Sequence, residues 1–120
     1  MSQSTPASTA DPDSEPLWPA IRALVAWLDA ANGRSEQETA LRLLKLTEEV
    51  GEVSQAYINL QGQNPRKLDQ PGTRDQVADE LVDVVVTALT ALSSFTDDPQ
   101  ALVADKLRRI LARLDLTPQP

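Results

Sequence analysis

Residues 36–61 read EQETALRLLKLTEEVGEVSQAYINLQ. Leu43, Leu46, Val50, Val53, Tyr57 and Leu60 fall into one apolar stripe at helical spacing, which predicts an amphipathic helix from Glu36 to Gln61. Ser35 followed by Glu38 forms a capping-box pattern at its start, and Gly62 ends it. Lys45, Glu48, Glu49 and Glu52 cover roughly a 100° arc of the same helix at about 100° per residue. That arc flanks the apolar stripe instead of opposing it, so its carboxylates can lean over a groove beside the core.

Working outward, three more helices follow from the same rules. One runs from Leu17 to Ala31, with Pro19 in its first turn and Asn32-Gly33 as its stop. Another runs from Arg74 to Ser94, with Thr73 and Gln76 as a second capping-box pattern. The last starts at Asp98-Pro99 and reaches Leu116. The segment Leu81–Val86 is β-branched, as strands are. It nevertheless runs on to Leu92 without Gly or Pro, longer than strands usually last, and reads as helix. The expected fold is all-α: a four-helix arrangement over 17–116, completed by oligomerisation. Residues 1–16, rich in Ser, Thr, Pro, Ala and Asp, read as a disordered tail, and 117–120 as a frayed end.

Composition narrows the chemistry. The 120 residues contain no cysteine and no histidine. Disulfides, zinc–thiolate sites and Ser-His-Asp or Cys-His schemes are therefore excluded. A formal net charge of −7 argues against a nucleic-acid partner. No apolar run approaches the ~20 residues of a membrane span. No secretory signal is visible, so a cytoplasmic protein is expected.

Glu80 and Asp83 sit at i,i+3 on the edge of the third helix's apolar arc. If the second and third helices pack antiparallel, both acidic pairs face one cleft. Carboxylates meeting there repel, and hard divalent cations relieve that repulsion. Each cluster taken alone also reads as a solvated acidic face, and Lys45 as a simple i,i+4 partner of Glu49. Gly51 reads equally as a close approach of another helix or as tolerated sequence noise.

The stretch Leu44–Val53 (LKLTEEVGEV), followed by Asp79–Asp83 (DELVD), resembles the MazG-like pyrophosphohydrolases. Their signature is E-E-x-x-E on one helix and E-x-x-D on the next. The resemblance covers roughly residues 17–114. It implies hydrolysis of nucleoside triphosphates to the monophosphate and pyrophosphate, in nucleotide-pool housekeeping. Glu49, Glu52, Glu80 and Asp83 would hold Mg2+, for which Mn2+ can substitute. Glu48 would act on the attacking water, and Lys45 would contact a phosphate. Asp105-Lys106 and Arg109 resemble the family's N-K-x-x-R stretch, with Asp where the pattern has Asn. Lys106 and Arg109 would then contact phosphate, although cations also suit a helix C-terminus. A homodimer or homotetramer is expected. The alternatives are a phosphoribosyl-ATP pyrophosphohydrolase and a non-catalytic helical interaction module.

Two further expectations concern packing. Trp27 falls with Ile21, Leu24 and Leu28 and is expected in the core. Trp18, near the same helix's start, reads as a hydrophobic anchor, or else as a base-stacking residue. Val82, Val86 and Leu89 are expected to meet another subunit.

Overall fold

The computed structural model describes residues 16–120. The tail expected over residues 1–16 thus lies outside the described residues, save Pro16. Among the described residues the fold is all-helical, with no strand. Its elements are α1 (Leu17–Asn32), α2 (Glu36–Leu60), a 3-10 turn (Pro65–Lys67), α3 (Arg74–Leu92) and α4 (Pro99–Arg113).

Local chemistry sets these bounds. Gly33 takes φ +81°, a conformation that suits glycine, and its N–H donates to the Asp29 carbonyl at the end of α1. Ser35 Oγ accepts from the Glu38 N–H at 3.1 Å and starts α2. The capping box there is only half formed. Glu38 turns its carboxylate to Arg42 Nε (2.9 Å) and Asn32 Nδ2 (3.3 Å) instead. The box at α3 is complete: Thr73 Oγ1 accepts from the Gln76 N–H at 3.1 Å, and Gln76 Oε1 from the Thr73 N–H at 3.0 Å. Asp98 Oδ1 accepts from the Ala101 N–H and caps α4. That helix stops at Arg113, short of Leu116, where Asp115 adopts φ +56°. Residues 116–120 have no regular structure.

The most extensive packing joins α2 to α3. The pair is antiparallel. Tyr57 and Leu60 share a cavity with Val77 and Leu81, whereas Leu41 and Lys45 share one with Val86 and Thr90. Gly72 makes the return possible. Its N–H donates to the Asn59 carbonyl at 3.2 Å, and a Cβ there would stand 2.7 Å from the Leu60 nitrogen. α1 lies against the C-terminal half of α3, burying Ile21 and Ala91, while α4 packs only sparsely on the rest.

Buried Arg42 fastens α1 to α2. Its guanidinium lies 3.1 Å from Asp29 Oδ1 and donates to Glu38 and to the Gly33 carbonyl. Burial works against its charge, yet the bonds from Glu38 and Asp29 outweigh burial and raise its pKa. Glu38 is correspondingly held below its ordinary value by Arg42 first and Asn32 second.

One packing expectation is corrected. Trp27 is 67% exposed and not core, because α1 turns Ile21 onto α3 and leaves Trp27 on the rim of a groove. Of the three residues expected to face another subunit, only Val82 stands open. Val86 and Leu89 are half-buried, and Val86 lines the groove beneath α1.

Candidate metal centre

The antiparallel hairpin brings the two acidic motifs together. Carboxylate oxygens of Glu49, Glu52 and Glu80 lie within 4.8 Å of one another, and so do those of Asp79, Glu80 and Asp83. Glu80 belongs to both groups and links them. All four residues assigned to the metal are therefore in one continuous cluster, though Asp83 reaches it only beside Glu80. Asp79 is an addition. It precedes Glu80 directly, and its acidity was the only signal in the sequence.

Within the cluster, Glu49 is the unusual member. Its side chain is only 9% exposed. One oxygen, Oε1, lies 3.3 Å from Lys45 Nζ; the other, Oε2, is buried without a hydrogen-bond partner. Glu80 Oε2 is buried and unpartnered as well. Leaving a buried carboxylate oxygen unsatisfied is costly, so such atoms call for an explanation. Glu52 lies exposed at the mouth. Hydrogen bonding and repulsion from Glu49, then desolvation and Glu80, raise its pKa above the ordinary carboxylate value. The donor set is oxygen only, and the chain has no histidine or cysteine to offer. That chemistry fits a hard divalent cation such as Mg2+.

The remaining assigned residues lie around this centre or away from it. Glu48 points out of the cluster. It is 61% exposed and accepts from Lys45 Nζ at 2.7 Å. Lys45 bridges Glu48 to Glu49, and both carboxylates raise its pKa, Glu48 more strongly. On α4, Arg109 Nε donates to Asp105 Oδ2 at 3.0 Å within its own helix, and Lys106 is exposed. Nothing in the packing of α4 brings Lys106 or Arg109 onto α2 as extensively as α3 is brought.

Beside the centre, α1, α2 and α3 enclose a half-open cavity of about 400 Å3. Leu24, Trp27, Leu41 and Val86 make it largely apolar, and Thr87 and Lys45 also line it. Since Lys45 also reaches Glu49, cavity and carboxylates adjoin. Trp18 lines a separate cavity with Arg22, Thr96 and Pro99. Gly51 faces open space: a Cβ there would meet nothing within 4 Å, so no helix of the described chain approaches it.

No protein-family model matches the chain, and no curated protein or solved structure matches it either.

Proposed function

We propose that the chain is a magnesium-dependent nucleoside triphosphate pyrophosphohydrolase of the MazG-like kind, acting in the cytoplasm as a homodimer or homotetramer. The observation that carries this reading is Glu49, a nine-tenths buried carboxylate with an unpartnered oxygen amid two further carboxylates. Lys45 meets one Glu49 oxygen, but without a further cation the Glu52 and Glu80 carboxylates still repel this group.

Glu49, Glu52 and Glu80 would hold the ion, with Asp83 adjoining through Glu80. When bound, Mg2+ neutralises phosphate charge and lowers the pKa of a coordinated water. The chain's own residues supply the rest. Lys45 Nζ exchanges Glu48 for a phosphate oxygen, which frees the Glu48 carboxylate. Glu48 then takes the proton of the water that attacks the α-phosphorus. The α–β anhydride breaks, and nucleoside monophosphate and pyrophosphate leave. The apolar cavity beside Lys45 accommodates the nucleoside. Lys106 and Arg109 reach phosphate in this reading only from another copy or after α4 moves.

The test is pyrophosphate release from a panel of NTPs, dNTPs and phosphoribosyl-ATP with Mg2+ and with Mn2+. Release from phosphoribosyl-ATP alone would select that narrower activity. A chain that releases nothing, and binds no Mg2+ in a saturable way, is an interaction module.

A further inference from the structure

The cavity beside the carboxylates has two unlike ends. Lys45 marks one, since its Nζ also reaches Glu49. Glu38 marks the other. It stands seven residues earlier on α2, two helical turns away, so the two side chains leave one face of the helix about 10 Å apart along its axis. Leu41 lies between them, and Leu24 and Val86 line the same cavity from α1 and α3. A nucleotide with its phosphates at Lys45 and the carboxylates sets its base toward Glu38.

Glu38 is engaged on one oxygen only. Its Oε2 accepts from Arg42 Nε at 2.9 Å and from Asn32 Nδ2 at 3.3 Å. Oε1 has no hydrogen-bond partner among the described residues and is not sealed from solvent. The side chain is half-buried and lines the cavity, so the cavity is where a ligand can meet Oε1. Arg42 holds the Glu38 pKa below its ordinary value, which keeps Oε1 a pure acceptor at neutral pH. Asn32 lines the same cavity. Its contact with the carboxylate fixes the amide nitrogen on this side, and that nitrogen keeps a second N–H.

An acceptor beside a donor discriminates among bases. On its Watson–Crick edge, cytosine carries the N4 amino group next to the acceptor N3, and adenine the N6 amino group next to the acceptor N1. Either gives one hydrogen to Glu38 and takes one from Asn32. Uracil and hypoxanthine reverse the order, with a carbonyl next to a ring N–H. They set oxygen against carboxylate and N–H against N–H, and polar groups left unpaired in a partly buried site are costly.

We propose that Glu38 and Asn32 select nucleotides whose base carries an amino group beside an acceptor ring nitrogen, cytosine or adenine, over the keto counterparts. The selection rests on the hydrolytic reading for the direction in which the nucleotide lies.

Calorimetry on the full chain with Mg2+ compares CMP with UMP and AMP with IMP, pairs that differ only at this edge. Monophosphates bind without being hydrolysed, so the result is separate from pyrophosphate release. CMP is expected to bind about tenfold or more tightly than UMP, or AMP than IMP, as for a bond to a charged group. The pair that shows the preference tells cytosine from adenine. Glu38→Gln is expected to invert it: Arg42 and Asn32 both donate, so they keep the amide oxygen and leave its N–H2 to the base. If that variant does not fold for want of the Arg42 ion pair, ligands alone decide on the wild-type chain. Dimethylation of the amino group of the preferred base removes both its hydrogens, and the product is expected to bind no better than the keto nucleotide. Equal affinities within both pairs, or no saturable binding of any of the four, overturn the selection. So does a folded Glu38→Gln chain that keeps the wild-type preference. Preferential binding with no pyrophosphate release from any triphosphate upholds the selection and removes the hydrolase reading; release without preference does the opposite.

Discussion

Glu48 and Glu49 are neighbours in sequence and occupy opposite environments, one solvated against Lys45, the other buried with a free oxygen. The E-E-x-x-E pattern announces carboxylates on one arc. It does not reveal which of two adjacent residues faces α3, because that depends on the rotation of α2 within the hairpin. The distinction makes separable predictions. Glu49→Gln should abolish saturable Mg2+ binding in calorimetry; retained binding would remove Glu49 from the metal set. Glu48→Gln should keep most of that binding while turnover falls by about 100-fold or more, as general-base losses do. Near-normal turnover would end the case for Glu48 as base. Glu52 supplies a pH test. Its folded pKa is raised above 4.5 by Glu49 first. Between 4.5 and the raised value, the folded chain therefore binds more protons than the unfolded one, and stability falls as pH rises through that window. Glu38 has the opposite sign. Its lowered pKa gives stability above its unfolded value that is lost as pH falls through the folded one. Urea midpoints of metal-free protein should thus rise as pH drops from neutral toward 4.5, and Glu52→Gln should flatten that rise. The same slope in both proteins would mean that Glu52 feels no such field.

At the scale of elements, helix starts were legible because caps are local chemistry. Ser35, Thr73 and Asp98 each accept the expected backbone N–H. The other half of the Ser35 box does not form, since Glu38 turns to Arg42 one turn on in the same helix, which is itself held by Asp29 of α1. Trp27 failed for a related reason: periodicity identifies an apolar face without saying how far along it a neighbour reaches. Between the two helices, Asn64 caps a 3-10 turn over Pro65–Lys67. The junction of α2 and α3 offers its own prediction. A Cβ on Gly72 would press on Leu60 and Asn59 backbone atoms that have little freedom to yield. Gly72→Ala should destabilise the fold by about 1–3 kcal/mol, the usual range for overpacking. It should also weaken Mg2+ binding by shifting Glu80 relative to Glu49. Unchanged denaturation and unchanged binding would show that the return has slack.

For the whole molecule, the acidic cluster and the thin core act in the same direction. A cation that binds only the folded chain stabilises it by about 2.7 kcal/mol at one hundred times its dissociation constant. Mg2+ should therefore raise the melting temperature well beyond sodium chloride of matched ionic strength, which only screens. Glu80→Gln should shrink that increment and raise the metal-free melting temperature, since it removes a charge from both carboxylate groups. Equal shifts from the two salts would return both motifs to ordinary solvated faces. The all-helical class was legible from periodicity alone. The openness of the surface was only partly so: Val82 was anticipated, whereas Leu44, Val50 and Ile58, all exposed on α2, emerge once α3 is seen to take the other side.

The return between α2 and α3 also has a meaning in time. Glu49 and Glu80 meet through a connection of about a dozen residues, and closing a ten-residue loop takes about 10–100 ns. Contacts between sequence neighbours form early, because little chain entropy opposes them. The α1–α2 connection, residues 33–35, is shorter, so α1 has less chain entropy to overcome than the hairpin that joins Glu49 to Glu80. The charge repulsion of the carboxylates falls on the step that closes α2 on α3, and a divalent ion available during folding would lower its cost.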